Sequence, residues 1–172
     1  MKRYEFVDGD QRVVAPGIVA RRIRALVAIP ALLFAPAVAP GELGGYVVSE
    51  SNLAQVSGNA WVYGDALVYG DAQVYGDARV YGNAQVSGNA QVYGDAQVTT
   101  ACSKTPVVIS GLPYMVTITD DKLRAGCQCH TFDEWRKFTS RDIADMDGRA
   151  ALRFYPVLVS LMDATLSARQ QA

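Results

Sequence analysis

Residues 56–98 read VSGNAWVYGDALVYGDAQVYGDARVYGNAQVSGNAQVYGDAQV, and this stretch decides the fold. Valine recurs every sixth residue: Val56, Val62, Val68, Val74, Val80, Val86, Val92 and Val98. Alanine follows four places after each of the first seven valines, from Ala60 to Ala96. Between valine and alanine lies a polar step, Gly-Asp or Gly-Asn, as in Gly64-Asp65, Gly76-Asp77 and Gly88-Asn89. Self-similarity at a fixed period marks a stacked repeat architecture. A period of six suits neither an amphipathic helix nor an alternating strand. It does suit a coil with three sides, each one hexapeptide long. Valine points inward from each side, and alanine fills the narrower space beside the corner. Gly-Asp and Gly-Asn make the corner, because glycine adopts positive φ freely and Asn or Asp tolerate it better than most residues. One coil then takes eighteen residues, and residues 56–98 supply a little over two of them, a prism on the order of 12 Å tall at strand spacing.

The unit V-(Y/S)-G-(D/N)-A-x resembles the hexapeptide pattern of left-handed β-helix proteins. Stacking at eighteen residues sets vertical neighbours. Asn59 sits under Asp77 and then Asp95, Asp65 under Asn83, and Asp71 under Asn89, which mostly pairs a charged with a neutral side chain. The outward tyrosines stack as well: Tyr63 with Tyr81 and Thr99, Tyr75 with Tyr93 and Ser57, Tyr69 with Ser87. Such ladders leave aromatic surface facing outward, and surface of that kind is covered by another subunit or by a ligand.

The chain has 172 residues and a net charge of −1, which gives no argument for nucleic acid or an anionic membrane as partner. Its three cysteines, Cys102, Cys127 and Cys129, are too few and too irregular for a secreted disulfide framework, so a reducing cytoplasm is expected.

Ahead of the repeats, Tyr4-Glu5-Phe6-Val7 and Arg12-Val13-Val14 read as strands joined by a turn at Asp8-Gly9-Asp10. Residues 25–40 are apolar and follow Arg21-Arg22, in imitation of a twin-arginine export signal. Pro30, Pro36 and Pro40 interrupt the run and favour the other reading, a buried strand-and-turn segment that caps the coils. The same prolines, and the length, argue against a membrane helix. Gly41-Glu42-Leu43-Gly44-Gly45-Tyr46 reads as the turn that feeds the first coil.

After the repeats, Val107-Val108-Ile109 and Met115-Val116-Thr117-Ile118-Thr119 read as strands, and residues 123–129 as a third. Thr131 and Glu134 form a capping box that opens a helix with Trp135 and Phe138. Ser140-Arg141-Asp142 opens a second, ending near Met146-Asp147-Gly148. A last helix runs from Arg149 towards Ala168 with Leu152, Tyr155, Val159 and Met162 on one face, and Pro156 is expected to kink or split it. The predicted organisation is an N-terminal β cap at 1–45, a left-handed parallel β-helix at 46–101, and an α+β domain at 102–172 with a β-hairpin and a helical tail.

The flanks widen the resemblance. Tyr4-Glu5-Phe6, Arg22-Ile23-Arg24-Ala25-Leu26, Gly41-Glu42-Leu43-Gly44-Gly45-Tyr46 and Glu50-Ser51-Asn52-Leu53 look like the leader of phage- and prophage-associated hexapeptide-repeat proteins. Gly111-Leu112-Pro113-Tyr114, Val116-Thr117-Ile118-Thr119-Asp120, Gly126-Cys127-Gln128-Cys129-His130-Thr131 and Ala151-Leu152-Arg153-Phe154 look like their tail. The resemblance implies a mobile-element setting in a bacterial host's cytoplasm more than it implies a reaction. The proline-rich loop at 30–40 departs from it.

Some left-handed β-helices are acyltransferases, which by family analogy place a histidine beside loops that interrupt the coils. No loop interrupts residues 56–98, and the one histidine, His130, lies outside them. A carbonic-anhydrase-like zinc centre needs three histidines. Cys127, Cys129 and His130 invite a zinc reading, but ligands so close in sequence strain one tetrahedral site, so one cysteine in the core and a structural His130 is the preferred reading. The corner aspartates are explained by turn chemistry without calcium, and the outward residues lack the threonine arrays of an ice-binding face. The sequence therefore leads to a non-enzymatic protein without cofactor: a homotrimeric scaffold whose partner is a host or viral protein, with counter-defence as a theme. The alternative is capture of a small nucleotide signal between subunits. Candidate binding residues are Trp61, Tyr63, Tyr75, Arg79, Tyr81 and Tyr93, which offer charge and stacking surfaces.

Overall fold

A computed structural model describes residues 2–32 and 35–171; Leu33 and Phe34, inside the apolar run, lie outside the described residues. The chain divides into two compact units, Met1–Pro106 and Val107–Ala172.

The first unit begins with β1 (Tyr4–Ala15) and β2 (Ile18–Ala25), an antiparallel pair, and β3 (Leu43–Val47), antiparallel to β2. Asp8-Gly9-Asp10 is not the expected turn. It is a bulge inside β1, where the register slips between Phe6 and Gln11 and Gly9 takes φ +79°. The turn lies instead at Pro16-Gly17, between the two strands. Gly41 turns the chain, but Leu43 onward is strand.

Seven two-residue strands follow: β4 (Trp61–Val62), β5 (Leu67–Val68), β6 (Gln73–Val74), β7 (Arg79–Val80), β8 (Gln85–Val86), β9 (Gln91–Val92) and β10 (Gln97–Val98). They pair in parallel as β4-β7-β10, β5-β8 and β6-β9, and β3 joins β5. Trp61 pairs with Arg79 and Arg79 with Gln97, each eighteen residues on. The chain thus visits three separate sheets in rotation, one hexapeptide at a time. From Val62 to Val98 every repeat valine is fully buried, and Ala66 to Ala96 likewise. Each such valine contributes roughly 1.5–2 kcal/mol before chain entropy is set against it.

Val56 breaks the pattern: it is 84% exposed. The inner row continues backwards through Leu53, which bridges Val74, and Val47, which pairs with Val68, each twenty-one residues apart. Three extra residues are accommodated around Gln55. Its side-chain carbonyl accepts from the backbone N–H of Arg3 (2.9 Å) and Tyr4 (3.4 Å), and its amide donates to the Tyr4 carbonyl (3.2 Å). That polar anchor fixes Gln55 on the cap and leaves Val56 outside. In the short 3₁₀ turn Glu50–Asn52, buried Asn52 donates to the carbonyls of Gly70 (3.0 Å) and Ala72 (2.8 Å), which ties this first irregular coil to the next.

Gly44 and Gly45 let β3 lie against the coil. A Cβ on Gly45 would meet Val62 Cγ1 at 2.5 Å and the Ala66 carbonyl at 2.6 Å. The apolar run forms an antiparallel strap in which Ile29 bridges Val38 and Leu32 bridges Ala35, with Ile29 and Val38 fully covered. The bridges fit the expected strand pairing, but the segment is not buried as expected: of its described residues between 26 and 40 only Ile29, Ala35 and Val38 are buried, and Pro30, Pro36 and Pro40 are exposed.

The second unit is an antiparallel meander, β11 (Val107–Ile109), β12 (Val116–Ile118), β13 (Lys122–Ala125) and β14 (Gln128–Thr131), followed by α1 (Phe132–Lys137) and α2 (Ser140–Gln170). The single strand expected at 123–129 is therefore two, divided at Gly126, whose φ is +57°. Non-helical dihedrals at Asp147 and Gly148 break α2 where the sequence placed a helix end. Pro156 does not split it. The carbonyl that Pro156 leaves without a helical donor belongs to Leu152, an exposed residue at a position water can serve. Leu152 consequently is not on the buried face, which is Phe154, Leu158 and Met162 with Tyr155 and Val159 at its margin. These pack with Val116, Ile118, Leu123, Trp135 and Ile143. No helix among the described residues is long and apolar enough to cross a membrane.

Candidate interaction surface

The three solenoid sheets differ in what lies on their outer side. Sheet β4-β7-β10 is covered: Trp61, Arg79 and Gln97 are 1%, 1% and 6% exposed. The strap lies over it, where the Pro36 carbonyl accepts from Tyr63 Oη (3.0 Å) and the Pro30 carbonyl from Arg79 Nη2 (3.3 Å). Burial raises the Tyr63 hydroxyl pKa, against the opposing pull of Arg79. Sheet β5-β8 continues into β3, β2 and β1. There the Arg12 guanidinium lies over the Tyr46 ring (4.1 Å) and pairs with Asp65 (2.5 Å), while Tyr46 Oη accepts from Arg22 and donates to Asp10 (both 2.9 Å).

Among the described residues, sheet β6-β9 has no such cover. Gln73 and Gln91 are exposed, and Tyr93 is 46% exposed. Tyr75 and Tyr93 stack with centroids 5.3 Å apart and planes 10° from parallel, the geometry that eighteen-residue spacing predicts. Tyr75 Oη donates to Gln91 Oε1 at 3.1 Å, which fixes the ring in place. Tyr63 and Tyr81 meet edge to face instead, at 6.5 Å and 79°, because each hydroxyl is drawn aside: Tyr63 to the strap and Tyr81 to Gln97 (3.0 Å). Of the six residues named from sequence, Tyr75 and Tyr93 form an open pair and Tyr63 and Tyr81 are half-buried. Trp61 and Arg79 are enclosed, contrary to the expectation of an outward surface; nothing in the hexapeptide register announces the strap that covers them.

His130 packs by its ring. It lies 5.2 Å from Trp135 and 4.8 Å from Phe138, both edge to face, and its Nε2 lies 3.2 Å from Gln128 Oε1. Trp135 Nε1 donates to the Leu123 carbonyl (2.8 Å), which anchors that group in the core. Cys129 precedes His130 on the same strand and so takes the opposite face, while Cys127 sits exposed in the preceding turn. Among the described residues no group of three or more His, Cys, Asp or Glu is placed to hold a metal ion.

The helical tail starts on two matching caps. Thr131 accepts from Glu134 N, and Glu134 from Thr131 N (2.8 Å); Thr139 and Asp142 repeat the arrangement. The second box was missed because Thr139-Ser140 offers two adjacent cap residues. The backbone hydrogen bond from Thr131 holds Glu134 below the usual carboxylate pKa, and the Thr139 side chain does the same for Asp142. Carboxylates with depressed folded pKa values contribute stability above their unfolded values and lose it as pH falls through the folded ones. Melting of the second unit, followed by helical circular dichroism, should therefore be level near neutrality and decline on acidification below about pH 4. Thr131→Val with Thr139→Val should flatten that decline; an unchanged acid slope in the double variant would contradict the cap assignment. At the break in α2, Tyr114 Oη donates to Asp147 (2.5 Å), and this bond pushes the Tyr114 pKa up to about 12.

Residues 54–70, 72–88 and 84–99 match the family model of the YdcK beta solenoid repeat. The repeat is a β-solenoid. The match covers the stretch in which the structure shows eighteen-residue stacking and leaves the strap, β1–β3 and the second unit outside it. No curated protein matches the chain.

Proposed function

We propose that the chain is a non-catalytic oligomeric binding scaffold. The observation that carries this reading is the bare β6-β9 sheet, with its stacked Tyr75–Tyr93 pair beside exposed Gln73 and Gln91. Sheet β4-β7-β10 is covered by the chain's own strap, and sheet β5-β8 is extended edge to edge by β3, with Gln85 exposed on its outer side. The four residues named on the sheet carry no charge, and the charges nearest it are the corner residues Asp71, Asp77 and Asp95. Aromatic side chains in that position are what interfaces favour. Two short strands supply less than the roughly 800 Å² per partner that a stable interface buries, so contact extends beyond the tyrosine pair along the solenoid. The coils wind left-handed and three copies associate, as the hexapeptide resemblance implies. The setting is a phage or prophage product in the bacterial cytoplasm, acting on a host or viral protein, with counter-defence as the purpose. Coils that run from Asn59 to Val98 without an inserted loop lack the wall from which an acyltransferase cleft is built, which supports a binding role over catalysis.

Tyr75→Ala combined with Tyr93→Ala is expected to weaken self-association by about tenfold or more while leaving the melting temperature of the solenoid near wild type, since both rings lie outside the core. Sedimentation equilibrium of the two proteins measures this. Unchanged association would remove the sheet from the interface.

A further inference from the structure

Between Arg12 and Arg21 the chain runs Val13-Val14-Ala15-Pro16-Gly17-Ile18-Val19-Ala20, without a charge. These residues form the closed end of the β1-β2 hairpin. β3 pairs with β2 no nearer the turn than Arg21, which faces Val47, so beyond that point the hairpin is a ribbon of two strands. Its apolar side chains stay open: Val13 is 75% exposed and Ile18 37%. Val13 pairs with Val19, so the two valines share a face. Arg21, two residues after Val19, stands on the same face, and its guanidinium lies over the Phe6 ring (3.6 Å). No carboxylate among the described residues pairs with Arg21. A two-stranded ribbon is marginal alone, and this one turns a β-branched pair and a cation to the outside.

The tyrosine sheet complements that face. Tyr75 and Tyr93 offer stacked rings, and aromatic with β-branched side chains make favourable neighbours. Asp95, two residues after Tyr93, is exposed and has no cation partner among the described residues. The hairpin extends the sheet of β5-β8, whereas the tyrosines follow β6 and β9, so the two patches belong to different sheets of one unit. A ring of three identical chains cannot close through one patch meeting itself. Each chain must present two patches that fit one another.

We propose that the end of the β1-β2 hairpin of one copy seats on the tyrosine sheet of the next. Val13 and Val19 lie against Tyr75 and Tyr93, and Arg21 meets Asp95. This rests on the self-association proposed above and names the second surface that a ring requires. The occupant is another copy of this chain, because each patch supplies the charge that the other lacks. The hairpin also adds contact area that the two short strands do not provide.

Sedimentation equilibrium of the full chain and its variants tests the pairing, with circular dichroism to confirm that each is folded. Val13→Asp places a carboxylate where the single chain is open, so folding should hold while association falls about tenfold or more. Arg21→Glu should weaken association about tenfold, and so should Asp95→Arg, since each sets like charges together across the contact. Arg21→Glu and Asp95→Arg combined in one chain should restore association to within about threefold of wild type. A purely structural effect of either residue would give no such rescue, and its absence would overturn the pairing. If Tyr75→Ala with Tyr93→Ala dissociates the chain while Val13→Asp and Arg21→Glu leave it associated, the tyrosine sheet is an interface without the hairpin. That result overturns this inference alone. A wild-type chain that stays single at micromolar concentration overturns it together with the self-association on which it rests.

Discussion

Val74→Asp should unfold the solenoid at neutral pH. Val74 is fully buried between Leu53, which bridges it on one side, and Val92, paired on the other. None of these neighbours offers a hydrogen-bond donor from its side chain, so the carboxylate would be forced to protonate or to drag water inside. A pKa raised by 3 to 5 units corresponds to about 4 kcal/mol at neutral pH, where the carboxyl is left protonated. The lost valine packing and the buried neutral carboxyl add to it, and the total is comparable with the whole stability of a small domain. Gln73→Glu, one residue away on the exposed side, should stay within about 0.5 kcal/mol. Val56→Asp is the sharper control. It is the same substitution at the same repeat position, but Val56 is exposed, so its cost should also stay within about 0.5 kcal/mol. Denaturant titration monitored by circular dichroism reads all three. Equal losses for Val56→Asp and Val74→Asp would refute the displaced register around Gln55.

Gly45→Ala is the second large effect. Gly45 lies in a strand with no positive φ, so alanine meets no backbone penalty there and the cost is steric alone. Its Cβ would stand 2.5 Å from Val62 Cγ1, 2.6 Å from the Ala66 carbonyl and 3.3 Å from that of Tyr63. Backbone on two sides cannot rotate away, so β3 must separate from the first regular coil, at about 3 kcal/mol. Gly82→Ala reverses the situation: φ is +69° but nothing lies within 4 Å, so only the left-handed conformation is penalised, at roughly 1–2 kcal/mol. Thermal melts should rank Gly45→Ala below Gly82→Ala. The opposite order would mean that β3 does not rest on the coil as described.

The repeat was legible because its signal is redundant. Valine, alanine and glycine each recur at the same period, and each answers a separate requirement of inner row, corner filling and turn. Asn59, which donates to Asp77 at eighteen residues, and the Tyr75–Tyr93 stack follow from that period directly. Val56 was not legible. It carries the repeat's residue type, and only a long-range contact, Gln55 with β1, displaces it. Leu53 and Val47 take the inner row instead, at a spacing no periodic reading would supply. Trp61 and Arg79 failed as surface residues for the same reason: register gives the side on which a residue stands, while the strap that covers it comes from residues 26–40. In the second unit local chemistry was enough for the Thr131 cap and the break at Asp147-Gly148, which depend on neighbours in sequence. Pro156 does not split its helix, because a proline's cost depends on whether the freed carbonyl faces water.

Self-association through the open tyrosine-bearing sheet is read directly from the mass in solution. Multi-angle light scattering of the purified chain at micromolar concentration should return three times the 18.5 kDa chain mass, and Tyr75→Ala with Tyr93→Ala should move it toward the single-chain value. A wild-type mass of 18.5 kDa under those conditions would contradict the account.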